Sequence, residues 1–173
     1  MFEKGEWIMY GNTGVCQVED VGMPKEIPAR DKSKPYYKLN PAYESGEIYI
    51  PVDTGVFMRP ILTKEQAEQL LAKLPDFCRP ENLRDNYPEL EEEYKACLSG
   101  HECWQWMKLL VTLRFQEWQQ AQEGKRIGKI NQKYEKRAKE LLYGELSIAL
   151  ELPYEKIDAY MEKKFTELFV KIA

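Results

Sequence analysis

Cys97, His101 and Cys103 fall within seven consecutive residues, and Cys78 lies upstream of them. Thiolate and imidazole in one short stretch are the ligand types of a structural zinc site. Their spacing matches no standard finger or ribbon. An unbridged cysteine, by contrast, commonly serves as a small buried apolar residue. Burial is the favoured reading, and neither a metal nor a cofactor is expected. His101 follows Gly100 near a helix start and reads as a capping or surface residue, because no nucleophile, base and orienting group accompany it. Gly5, Gly11 and Gly14 lack the Lys-Ser/Thr ending of a phosphate loop and read as hairpin glycines. Glu91, Glu92 and Glu93 read as a solvated helix face. With no triad, dinucleotide fingerprint or phosphoryl-transfer motif present, the chain is expected not to be an enzyme.

Charge offers a second kind of chemistry. The chain is net −4, yet nine basic residues run from Lys108 to Lys139: Lys108, Arg114, Lys125, Arg126, Lys129, Lys133, Lys136, Arg137 and Lys139. Only Glu117, Glu123 and Glu135 oppose them, so the segment carries +6. Distribution decides partners more than the sum does. Lys125, Arg126 and Lys129 surround Gly124 and Gly128 in a connector that leads into a helix. Lys133, Lys136 and Arg137 continue on that helix at i, i+3, i+4. A basic patch at a helix N-terminus offers side-chain charge and backbone amides to phosphate together. An ordinary basic surface balanced by the acidic helix remains the alternative at this level.

The elements that must position these groups change character near residue 62. Before it, short β-type runs are broken by Gly, Pro and Asn. Strands are expected at 6–10 and 14–21, joined by a Gly11-Asn12-Thr13-Gly14 turn. Further strands follow at Tyr36–Leu39, Glu47–Val52 and Val56–Arg59, after a polar loop at 22–35 that holds Pro28. Five short strands with tight turns suggest a small barrel or curled sheet. Pro51 lacks an amide proton and belongs at a strand end or on an edge, where a partner strand could add. After residue 62 the chain reads as helix. Thr63 and Gln66 have capping-box spacing for a helix ending near Leu74 and stopped by Pro75. Residues 76–88, with Pro80 and Pro88, read as irregular. Helices are then expected at Leu90–Leu98, Glu102–Glu123, Asn131–Leu150 and from Pro153 to about Ile172, a compact bundle of five. On the longest of the early helices Trp104, Met107, Val111, Arg114 and Trp118 share a stripe that includes a core face. Trp106 and Leu110 lie beside it, and at most one of these aromatics is expected to be exposed for partner contact.

No apolar run approaches the roughly 20 residues of a membrane span, and no signal-like stretch opens the chain. A cytoplasmic, monomeric protein with no membrane partner is expected.

Gly5, Ile8, Tyr10, Gly14 and Val15, then Ile48-Tyr49-Ile50-Pro51-Val52, then Met58-Arg59-Pro60-Ile61 form an ordered set. Thr63-Lys64-Glu65-Gln66-Ala67 extends it, and Lys139 to Leu146 adds a late helix. Together they resemble the CarD/CdnL family of bacterial transcription regulators. That family's N-terminal module is shared with the polymerase-interacting domain of transcription-repair coupling factors. The resemblance implies an α+β chain: a small Tudor-like β-barrel over residues 1–62 that binds the RNA polymerase β subunit, and an all-α helical domain over 63–173. The helical domain would contact promoter DNA at the upstream edge of the bubble, weakly and largely without sequence specificity, and modulate open-complex stability. Ile48, Tyr49, Ile50 and Pro51 would face polymerase, with Arg59 supporting the module. Lys125, Arg126, Lys129, Lys133, Lys136 and Arg137 would meet phosphates. Asn82, ahead of Asp85-Asn86, stands where the family typically carries a wedge tryptophan and would be a further DNA-binding residue; a polar Asn can hydrogen-bond in a groove but cannot insert as an apolar wedge. The following segment is acidic at Glu89 and Glu91–Glu93 where it is usually basic, and Tyr49 stands where some members have arginine. The alternative is a protein-only adaptor that binds polymerase and recruits another protein through Trp106 or the acidic helix. A small enzyme with an unrecognised site is the third alternative, and no visible cluster supports it.

Overall fold

Gly11 and Gly14 take positive φ, 44° and 101°, as a tight turn between two antiparallel strands requires. A Cβ at Gly11 would also meet Val56 Cγ1 at 3.0 Å. These glycines join β1 (Trp7–Tyr10) to β2 (Gly14–Gly22). β3 (Tyr36–Pro41), β4 (Ile48–Pro51) and β5 (Met58–Pro60) complete the sheet. In this computed structural model residues 1–24, 31–78 and 90–172 are described. The chain divides into two compact units, Met1–Ile61 and Leu62–Ala173.

The first unit is an antiparallel sheet of order β4-β3-β2-β1-β5. Ile8, Cys16, Val18, Tyr37 and Leu39 form its core, and Ile48, Ile50 and Val52 pack against them. Burial, with a smaller contribution from Glu44, pushes the Cys16 thiol up to about 11, so it stays a neutral apolar filler. The expected Tudor-like barrel is corrected here: the sheet does not close, because β4 and β5 end it on opposite sides. Proline chemistry supplies a reason. Val52 N–H bonds Pro35 O at 3.0 Å, so Ile48, Ile50 and Val52 turn their main-chain groups towards β3, and Tyr49 and Pro51 turn theirs outward. Likewise Gly11 N–H bonds Phe57 O at 2.8 Å, which leaves Met58 and Pro60 facing outward from β5. Each edge thus spends an outward position on a residue without an N–H, which works against a closing ladder.

In the second unit the capping box forms as the spacing predicts. Thr63 Oγ1 accepts from Gln66 N–H at 3.1 Å, and Gln66 Oε1 accepts from Thr63 N–H at 3.0 Å. They open α1 (Lys64–Ala72). Pro75 does more than stop this helix. It sits in the first turn of a short second one, α2 (Leu74–Phe77), where its missing N–H costs nothing. α3 (Leu90–Ser99), α4 (Cys103–Gln122), α5 (Lys129–Leu150) and α6 (Tyr154–Ile172) follow. That makes six helices among the described residues rather than five, and α5 starts two residues before Asn131. Trp106, Met107, Leu110 and Leu113 of α4 meet a core shared with Leu142, Tyr143 and Leu146 of α5 and Phe165 and Phe169 of α6. α5 ends on Glu151 in the left-handed region at φ 55°. The expectations for Pro28, Pro80, Asn82, Asp85, Asn86, Pro88 and Glu89 lie outside the described residues.

Candidate functional site

The first candidate surface is the outer side of β4. Strand alternation turns Ile48 and Ile50 inward onto the core of the sheet, so their side chains support the edge rather than present themselves. Tyr49 points the other way and is 39% exposed. It sits opposite Lys38 in the register, in the closer, non-hydrogen-bonded kind of antiparallel pair. A bulge between Val18 and Asp20 leaves Glu19 as the extra residue of β2, re-aiming its carboxylate onto the same group. Lys38 Nζ therefore lies 3.1 Å from Glu47 Oε1 and 3.3 Å from Glu19 Oε1. Tyr49 O–H donates to Glu47 Oε2 at 2.8 Å.

These contacts tune one another. Hydrogen bonds to Glu47 and then Glu19 hold the Lys38 ammonium above its ordinary pKa. Tyr49, then Lys38, holds the Glu47 carboxyl below its ordinary value. The bond to Glu47 raises the Tyr49 phenol. Two carboxylates share one ammonium, so the array carries a net −1. The main chain at Tyr49 offers one outward N–H and C=O; Pro51 beside it has no N–H, and its carbonyl already accepts from Thr54 N–H at 3.0 Å. Arg59, on β5, donates to Pro60 O at 3.0 Å, at the far end of the sheet order from β4.

The second candidate surface is basic. Lys129, Lys133 and Lys136 fall at i, i+4, i+7 on α5 and are exposed, on the side away from buried Asn131, Tyr134 and Ala138. Arg126 is exposed in the connector just before them. None of these four makes an ion pair with a described residue. Lys125 pairs with Glu123 at 2.9 Å, and Arg137 with Glu140 at 3.2 Å, so two of the predicted cations are partly neutralised. Asn82 lies outside the described residues. Gly128 caps α5 without a side-chain bond, leaving first-turn amides for solvent or an anion. A cleft of about 570 Å³ opens there, between Arg126, Lys129 and Asn131 and the α3 residues Glu91 and Tyr94.

Two of the nine basic residues are half-buried in ion pairs between helices instead. Arg114 bonds Glu117 at 2.6 Å, Glu135 at 3.3 Å and Glu162, and its side chain is only 20% exposed. Burial opposes its charge, but Glu162, Glu117 and Glu135 outweigh that and raise its pKa. Lys139 pairs with Asp158 at 2.9 Å. Trp106, offered as a recruiting residue, is 1% exposed with its indole N–H 3.4 Å from Leu98 O, so the adaptor reading loses that anchor. Trp104 is the exposed tryptophan, at 51%.

Among the described residues no group of three or more His, Cys, Asp or Glu is placed to hold a metal ion. Cys78 is buried and its thiol is pushed up to about 11 by that burial. Cys103 donates to Glu145 Oε2 at 2.6 Å. Glu145 is fully buried on α5, and its other oxygen accepts from Leu62 N–H at 2.9 Å. Sequence reasoning passed over Glu145. Its signal was a carboxylate inside the apolar run Leu141 to Leu146, on the stripe that includes Ala138 and Leu142.

Residues 2–62 match the family model described as CarD-like/TRCF RID domain. For these residues the resemblance is borne out. The match is to a family of non-catalytic domains and fits a general role in association with RNA polymerase. No curated protein matches the chain. No helix among the described residues is long and apolar enough to cross a membrane.

Proposed function

We propose that this chain is a transcription regulator that adds the outer side of β4 to a strand of the RNA polymerase β subunit and lays the basic face of its helical unit on promoter DNA upstream of the bubble. The single observation that carries this reading is the position of β4. In the unit matched to a polymerase-associated domain family, Ile48–Pro51 is an edge strand with Tyr49 turned outward. Strand addition draws affinity from main-chain hydrogen bonds.

Arg126, Lys129, Lys133 and Lys136 support the second contact through their exposure and lack of ion-pair partners among the described residues. DNA contact of this kind is weak, insensitive to sequence and strongly salt-dependent. Tethering to polymerase raises the effective concentration of such contacts beside the promoter. Contacts made better in the open complex than in the closed one shift that equilibrium by their difference in affinity.

The test uses purified RNA polymerase and two variants of the full chain. Tyr49→Pro removes the outward N–H while leaving the β3–β4 bonds in place, and polymerase affinity falls by at least about tenfold. Replacing Lys125, Arg126 and Lys129 together by Ala shortens promoter-complex lifetime and lowers the magnitude of the salt slope by roughly 2–3, near 0.9 for each phosphate no longer neutralised. An unchanged lifetime removes the DNA assignment. Polymerase binding that persists without any DNA dependence at low salt favours the adaptor instead, acting through the acidic α3.

A further inference from the structure

We infer that the polymerase segment added to β4 is basic, with a Lys or Arg at the position flanking Glu47. The inference rests on the strand-addition reading above and specifies its partner. Register comes first. Tyr49 is the residue of β4 that presents both an N–H and a C=O outward, so the residue exchanging two main-chain bonds with the incoming strand is fixed there. Pro51 has no N–H to give, and its carbonyl already accepts from Thr54 N–H at 3.0 Å. Side chains directly opposite one another in adjacent strands share a face. The incoming residues next to Tyr49 and Glu47 therefore stand over the face that carries Glu19, Lys38 and Glu47.

Charge comes second. Lys38 is already bonded to both carboxylates, at 3.1 and 3.3 Å, and Tyr49 O–H occupies a further site on Glu47. The ammonium comes from β3, the strand on the inner side of β4, and is shared with Glu19 of β2. A carboxylate has about four lone-pair sites, so Glu47 retains capacity for one more donor. Its outer flank meets the incoming strand. A cation there neutralises the excess negative charge, whereas an acidic side chain would face Glu47 and Glu19 at close range. Glu44 in the turn before β4 adds to the same sign. Like charges directly opposite destabilise a strand pair, and opposite charges stabilise it. The edge thus selects its partner by sign as well as by shape.

Opposite substitutions in the same array supply the test. Affinity of the full chain for purified RNA polymerase is measured for Glu47→Gln, Lys38→Gln and Tyr49→Pro at two salt concentrations, with thermal unfolding to confirm folding. Glu47→Gln removes negative charge and weakens binding by about three- to fivefold, chiefly through the association rate. Lys38→Gln unmasks negative charge, tightens binding by a similar factor and steepens its salt dependence. Reversed signs mean an acidic partner segment and overturn the inference. If neither variant changes affinity while Tyr49→Pro abolishes it, the charge inference falls and strand addition stands. If Tyr49→Pro binds normally, strand addition falls, and this inference with it.

Discussion

The same chemical device occurs in both units: one cation shared among carboxylates. In the sheet unit Lys38 bridges Glu19 and Glu47 at the surface. In the helical unit Arg114 ties α4 to Glu135 of α5 and Glu162 of α6. The settings differ. The lysine array lies at the sheet surface with both carboxylates more than 40% exposed, where water screens its charges and a single flexible ammonium costs rotamer entropy to hold. It adds little to stability and remains open to a partner. The arginine is a rigid planar fork in a largely dry site, with several donors held in fixed directions. It stabilises the helix packing, and it is unavailable to DNA although it falls within the basic segment of the sequence. A charge's usefulness to function is set by its solvent exposure, not by its place in a run.

The sharpest way to probe the buried side of this contrast is Glu145. Glu145→Ala leaves Leu62 N–H and the Cys103 thiol without this acceptor and opens a cavity, costing about 3 kcal/mol. Thermal or denaturant unfolding of the full chain reads this directly; a loss under about 1 kcal/mol would show that water reaches the carboxylate. Arg114→Ala follows, with a loss of about 2 kcal/mol after discounting for its residual exposure, because three carboxylates lose their common partner. Lys38→Ala, its surface counterpart, leaves the unfolding midpoint unmoved. Equal shifts for the two would break the comparison.

The smallest effect is in pH. Burial, then Glu117, raises the Glu135 carboxyl, outweighing Arg114 and Lys139, which pull it down. The folded state therefore holds this proton more tightly than the unfolded chain does. The stability it contributes is fully present below the ordinary glutamate value, roughly 4.3, and is lost as pH rises through the raised folded value. Glu135→Gln flattens that part of the stability profile, as unfolding measured across that pH range would show. An unaltered profile would assign the acid dependence to other carboxylates.

Local rules were legible wherever neighbours in sequence decide the outcome. The Gly11–Gly14 turn, the Thr63 and Gln66 box and the long helices follow from φ preference, capping and periodicity, whereas the inward turn of Ile48 and Ile50 away from Tyr49 was not read. Pro75 was readable as a stop but not as the start of α2, because proline is tolerated in a first turn and its chemistry alone does not say which helix it serves. Barrel closure was not legible, since strand count and turn spacing do not show which main-chain groups end up facing outward. That depended on the register, which placed Pro51 and Pro60 on opposite edges.

By itself the sequence determined that this is a β-unit followed by helices, with a basic stretch near α5. Only the tertiary structure decided that Arg114 and Lys139 turn inward while Lys129, Lys133 and Lys136 stay out, that Trp106 is core, and that Glu145 anchors Leu62. The reason is range. Periodicity and capping act over a few residues, whereas partners such as Arg114 and Glu162, or Leu62 and Glu145, are 48 and 83 positions apart and meet only when the helices pack.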